Sequence, residues 1–168
     1  INAAVDLGMN LIDTADVYGL DWGGSAFGWC EEALGRLLTR QPGLRERIVL
    51  ATKGGIIPGQ PYDSSSKYLV EACEASLRRL STDHVDLYQV HWPVNGVRAD
   101  DTMAELEKMR DEGKIRWLGV SNYHLADLEA AYAAAPFQSF QVGYHLMRRT
   151  VEDAEFPWCA ANDVGVLA

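Results

Sequence analysis

Short apolar runs alternate with stretches of helical periodicity from one end of the chain to the other, and this alternation narrows the fold to very few architectures. The runs fall at 10–15, 48–53, 85–90, 115–120, 137–144 and 164–168. Between them, 29–40 places Ala33, Leu34, Leu37 and Leu38 on one face, and 66–80 does the same with Leu69, Ala72, Cys73, Ser76, Leu77 and Leu80. Further helices are expected at 101–112, capped by Asp100 or Asp101 and closed by Gly113, at 125–134, and around 156–161. The runs are mostly continuous rather than alternating, as expected of parallel strands covered on both faces. Right-handed crossovers then leave an open doubly wound sheet or a closed barrel. A doubly wound nucleotide-binding sheet calls for Gly-x-Gly-x-x-Gly after its first strand, and neither Gly23-Gly24 nor Gly54-Gly55 has that spacing.

Chemistry-bearing residues follow successive runs. Asp13 and Tyr18 follow the first, Lys53 ends the second, and His91 with Trp92-Pro93 follows the third. In a barrel of parallel strands these ends share one mouth, so the spread of polar groups favours the barrel. A whole barrel has eight strands. The chain therefore reads as a single domain over 1–168, a fragment of about six strands of an α/β (β/α)8 TIM barrel. It opens without Met in a helix that closes at Gly8, and it ends on an apolar run, so truncation is expected at both ends.

Each of these residues also has an ordinary structural explanation. Tyr18 could pack with its hydroxyl in water, Asp13 could cap a turn, and His91 could be a satisfied strand-end histidine. A free phenol, with a pKa near about 10, is a poor acid at neutral pH. A neighbouring ammonium stabilises the phenolate. Lys53 is that neighbour if the first two strands lie side by side, and Asp13 could hold it. A neutral imidazole at His91 could orient a substrate oxygen beside the wall of Trp92. After the fourth strand, Ser121 and Asn122 could cap the next helix or bind a ligand amide. Gln141, in an apolar strand, needs a partner if buried, and a ligand carboxamide would be one. His84, His124 and His145 read as structural or solvated.

Composition removes several other functions. A formal net charge of -9 and a pI of about 4.8 argue against nucleic acid and against a polybasic membrane anchor. Cys30, Cys73 and Cys159 are scattered, with no Cys-x-x-Cys pair, and suggest neither a disulfide framework nor zinc. No two His or carboxylate residues show ligand spacing on one element, so no metal is expected. A reducing, cytoplasmic setting is the default for such cysteine usage.

Taken together and in order, Asp13-Thr14-Ala15-x-x-Tyr18-Gly19, Thr52-Lys53, Asp86-Leu87-Tyr88-Gln89-Val90-His91-Trp92-Pro93, Gly119-Val120-Ser121-Asn122-Tyr123 and Gln141-Val142-x-Tyr144 resemble the motifs of the aldo-keto reductase family. The resemblance covers nearly the whole chain. It implies a (β/α)8 barrel with NADPH extended across the mouth, acting on a small carbonyl substrate. By the same resemblance Tyr18 would be the general acid, Lys53 would strengthen it, and Asp13 would pair with Lys53 and border the cofactor. His91 would bind and orient the carbonyl, with Trp92 and Tyr18 lining the substrate. Ser121, Asn122 and Gln141 would hold the nicotinamide carboxamide.

The chain departs from the family pattern in places. The link 19–28 is longer than usual and could form part of a substrate rim. Cys30 stands where a Ser often caps the next helix, and Gly143 where a polar residue is common. The family's grip on pyrophosphate and the adenosine 2′-phosphate would lie beyond residue 168. Two other functions stay open at this point: a lyase that uses Lys53 as a Schiff-base nucleophile, and a cofactor-binding regulatory subunit on the same fold.

Overall fold

The computed structural model describes residues 1–168. Its elements run α1 (Asn2–Asp6), β1 (Leu11–Asp13), α2 (Trp29–Arg40), β2 (Val49–Gly54), α3 (Ser66–Leu80), β3 (Val85–Val90), α4 (Ala99–Asp111), β4 (Ile115–Ser121), α5 (Leu125–Ala134), β5 (Ser139–Gln141), α6 (Glu155–Ala161) and β6 (Gly165–Leu167). All six strands are parallel and pair in sequence order, β1 to β6.

The sheet curls into a half-barrel. In a flat sheet, four strand steps at about 4.8 Å would separate β1 from β5 by about 19 Å. Instead the Gln141 side chain of β5 donates to the Asp13 carboxylate of β1 at 3.2 Å. At the other end of the sheet, Leu11 of β1 and Leu167 of β6 line one cavity with Leu87 and Trp117.

Alternation along each strand divides the side chains between two cores. Tyr88, Leu50, Leu118, Val120 and Phe140 are wholly buried in the main apolar core, together with Leu69, Cys73, Met103, Leu106 and Met109 of α3 and α4. Truncating one such leucine typically costs about 2–5 kcal/mol. Helices α2 and α3 pack so closely that a Cβ at Gly35 would lie 2.1 Å from the Arg79 carbonyl oxygen. Ser65 caps α3 by accepting from the Tyr68 amide at 3.4 Å. Ser81, just past the helix, closes it in the left-handed region at φ 54°.

Three expectations change. Asp100 and Asp101 do not cap α4: the helix starts at Ala99, Arg98 occupies the cap position, and both aspartates sit in the first turn, where they pair with Arg98. Acidic residues there suit the positive end of the helix without acting as the cap. The fifth strand is only Ser139–Gln141, because Phe137 instead joins an aromatic cluster with Tyr132 and Trp158 in the helix layer. Ser121 and Asn122 do not cap α5; His124 takes that position, and Asp127 accepts from its backbone amide at 3.4 Å.

Candidate active site

Asp13, Lys53 and Gln141 stand at the C-terminal ends of β1, β2 and β5. His91 follows β3, Ser121 ends β4, and Asn122 comes next. Pairing of β1 with β2 puts Asp13 and Lys53 on neighbouring strands, and the curl brings β5 round to meet them.

Lys53 is the hub. Its side chain is almost wholly buried, and Nζ meets four oxygens. It donates to Asp13 Oδ1 at 2.8 Å and Oδ2 at 2.7 Å, to the Thr14 carbonyl at 2.9 Å, and to the Tyr18 hydroxyl at 3.2 Å. It also lies 4.7 Å from the centre of the Tyr18 ring, over its face. Burying an ammonium needs this degree of compensation. Tyr18 itself is open to solvent at the mouth, on the loop that leaves β1.

His91 faces Tyr18 edge to face, with ring centres 5.9 Å apart. Its backbone amide donates to the Gly54 carbonyl at 2.9 Å, so β2 fixes the ring's starting point. Burial, aided by the Lys53 ammonium and partly offset by Asp13, pulls its pKa down to about 4. The imidazole is therefore neutral near pH 7, and its Nδ1 is buried without a partner. Trp92 sits beside it, 6.2 Å from Tyr62 and bordering a cleft of about 240 Å³ that Asn122 and Arg148 also line.

Asn122 adopts the left-handed conformation, φ 60°, which asparagine tolerates better than most residues. Its amide donates to the His91 carbonyl at 3.1 Å and to Ser121 Oγ at 3.0 Å. Gln141 reaches Asp13, and Gln89 of β3 donates to Gln141 Oε1 at 2.7 Å. All seven residues picked out at strand ends thus surround one mouth, with Trp92 at its side. The long link 19–28 forms a 3-10 turn at Trp22–Gly24 and returns through the Gly28 amide, which donates to the Asp16 carbonyl at 2.8 Å.

Four groups were not singled out by sequence. The Thr14 carbonyl carries no side-chain signal at all. Gln89 carries the same signal as Gln141, an amide inside an apolar strand. Glu31, wholly buried, accepts from Thr52 Oγ1 at 2.6 Å and from Arg79 Nε at 2.7 Å behind the mouth. Beside it lies Asp16, also wholly buried, with neither carboxyl oxygen partnered.

The family model described as the aldo/keto reductase family matches residues 1–168. The chain belongs to the aldo-keto reductase family. Among curated relatives, the 6-dehydroglucose reductase of Novosphingobium aromaticivorans is 47% identical over 123 residues, covering 73% of this chain and 40% of that protein. The glycerol dehydrogenase AKR11B4 of Gluconobacter oxydans superposes with a TM-score of 0.87 at 36% identity, over 99% of this chain and 50% of its own. An aldo/keto reductase of Klebsiella pneumoniae, solved with NADP and acetate, gives 0.80 at 37% identity over 99% and 54%. The chain spans about half the length of the curated relatives it matches. No helix is long and apolar enough to cross a membrane.

Proposed function

We propose that this chain is the six-strand part of a (β/α)8 reductase that uses NADPH to convert aldehydes or ketones to alcohols, with Tyr18 as proton donor. The observation that carries this reading is the Lys53 ammonium, held by Asp13 and in contact with the Tyr18 hydroxyl.

A carboxamide ring suits the other side of the mouth. Gln141 has one N–H on Asp13 and a second to spare. Asn122 uses its N–H groups within the chain, which leaves its Oδ1 as an acceptor. An amide ligand, with one carbonyl and one NH₂, matches that donor and acceptor. Ser121, Asn122 and Gln141 would hold it, with Asp13 at its border. When bound, NADPH supplies the hydride. Its preference over NADH and its use as cofactor rest on the family and on the NADP-bound Klebsiella relative.

The chain's own groups do the rest. His91, neutral, offers one N–H to the substrate oxygen and sets its direction toward Tyr18. Tyr18 gives its proton to that oxygen as negative charge builds there. The phenolate left behind faces the Lys53 ammonium, which lowers the cost of the transfer. Trp92 forms the apolar wall that keeps water from the oxygen. Free Cys30, Cys73 and Cys159 fit a reducing, cytoplasmic setting.

Lys53 is poorly placed as a Schiff-base nucleophile, because its hydrogens face four oxygens and the ammonium has no free electron pair to attack with. The test uses full-length protein. It should oxidise NADPH in the presence of a simple aldehyde, and Tyr18→Phe should lower kcat by about 10²–10⁴-fold while cofactor affinity stays near wild type. Full activity in Tyr18→Phe would remove the acid from this scheme. A retained cofactor that no carbonyl compound ever turns over would favour a regulatory subunit.

A further inference from the structure

We propose that Gln89 is a positioning residue for the cofactor: it engages the Gln141 carbonyl so that this amide turns an N–H toward the mouth. The assignment rests on the reductase reading above and extends it to a residue outside the strand-end set.

Gln89 lies two residues before His91 and is wholly buried. Its register partners are Lys53 on β2 and Gly119 on β4. Gln141 is two strands away, on β5. The Gln89 side chain therefore has to cross β4 to reach it, and the missing side chain at Gly119 makes that possible. A Cβ there would lie 2.9 Å from Gln89 Cγ and 3.2 Å from its Oε1. The crossing ends in a hydrogen bond of 2.7 Å from Gln89 Nε2 to Gln141 Oε1.

The direction of this bond follows from the rest of the chain of contacts. Asp13 receives two hydrogen bonds from the Lys53 ammonium, so it is a carboxylate and can only accept. The Gln141 atom facing it must be the nitrogen, at 3.2 Å. Gln141 Oε1 then points the other way and needs a donor, which Gln89 provides. Donors converge on Asp13 from both sides: Gln89 donates to Gln141 and Gln141 to Asp13, while Lys53, which also touches Tyr18, donates to Asp13 from the other flank. Gln141 meets a ligand with one remaining N–H, its carbonyl being turned to Gln89, and so favours an acceptor, the oxygen of a carboxamide. Without Gln89 its amide is held by Asp13 alone, through one long bond of 3.2 Å.

The test is a double-mutant cycle in full-length protein. Gln89→Met keeps the length of the side chain and deletes its donor. It should weaken NADPH binding, read by fluorescence titration, about five- to tenfold, the worth of one hydrogen bond. KM for the carbonyl substrate should stay within about twofold. In a Gln141→Met background the same change should add nothing, because Gln89 acts only through Gln141. In cofactor-free protein, Gln89→Met should also shift the Gln141 side-chain amide signals in nitrogen-15 spectra and speed their hydrogen exchange. Wild-type affinity in Gln89→Met, additive losses in the double variant, or unmoved Gln141 signals each overturn the role of Gln89 alone. Wild-type protein that takes up no NADPH overturns the reductase reading, and the cofactor role of Gln89 with it.

Discussion

Asp13 and Asp16 lie three residues apart on the segment that leaves β1, and their surroundings are opposite. Asp13 is partly open to the mouth, with its side chain 27% exposed, and yet it accepts three hydrogen bonds, two from Lys53 and one from Gln141. Asp16 is wholly buried and accepts no side-chain hydrogen bond. Burial pushes the Asp16 pKa up to about 7, and the Glu31 carboxylate adds to the rise; Arg79, the Val17 backbone amide and Lys53 offset it only in part. The nearest guanidinium, Arg79, is already engaged by Glu31 and Ser76. Asp13 organises the site as a fixed charge. Asp16 keeps its place by holding a proton below about pH 7.

The largest effect should come from breaking the paired side. Lys53→Met removes the cation from Asp13 and the donor from Tyr18 together. Loss of one partner of a buried pair costs about 3–5 kcal/mol, and catalysis should fall by at least about 10²-fold. Adding Asp13→Asn removes the stranded carboxylate, so most of the stability should return while the activity stays lost. Denaturant midpoints and kcat/KM for the three proteins separate the two effects. Recovery of activity in the double variant would mean that Lys53 serves only to neutralise Asp13.

The unpaired side should show itself through pH. Asp16 ionises near 7 in the fold and near about 3.9 in an unfolded chain. Between those values the folded state binds more protons, so stability falls as pH rises. The total loss is about 4 kcal/mol, complete a little above pH 7. Asp16→Asn keeps the shape of the neutral carboxyl and cannot ionise. Its advantage over wild type should grow by about 2–3 kcal/mol between pH 5 and pH 7.5 and then stay level to pH 8.5, read from urea midpoints at the three values. Parallel curves for the two proteins would show that Asp16 finds a partner after all.

How much of this was legible in sequence follows the range of the interactions. Asp13, Tyr18, Lys53 and His91 could be named because each marks a strand end, and parallel strands bring such ends together whatever the details of packing. Ser121, Asn122 and Gln141 could be named as polar residues at further strand ends. The bond between Gln89 and Gln141 could not be read. It depends on the curl of the sheet and on space above Gly119, neither of which is written in a strand pattern. The group of Asp16, Glu31 and Arg79 was hidden for a similar reason. It draws one residue each from a loop, α2 and α3, and only the docking of those helices brings them together. The start of α4 was misplaced because Asp100 and Asp101 suit a helix N-terminus as well inside the first turn as at the cap.

The smallest effect probes the boundary between the two regions. Thr52 and Lys53 are consecutive in β2, so their side chains point to opposite faces. Lys53 faces the mouth, and Thr52 faces the helices, where its hydroxyl donates to Glu31 Oε1 at 2.6 Å. Thr52→Val keeps the shape and deletes the donor. Glu31 then keeps only Arg79, and one of its buried oxygens becomes as unpartnered as those of Asp16. A hydrogen bond to a charged group is worth about 1.5–3 kcal/mol, so the denaturant midpoint should fall by a corresponding amount. Activity should stay near wild type, because nothing facing the mouth has changed. A large fall in kcat without loss of stability would mean that the strand transmits disturbance between its faces, and that the two carboxylate regions act as one.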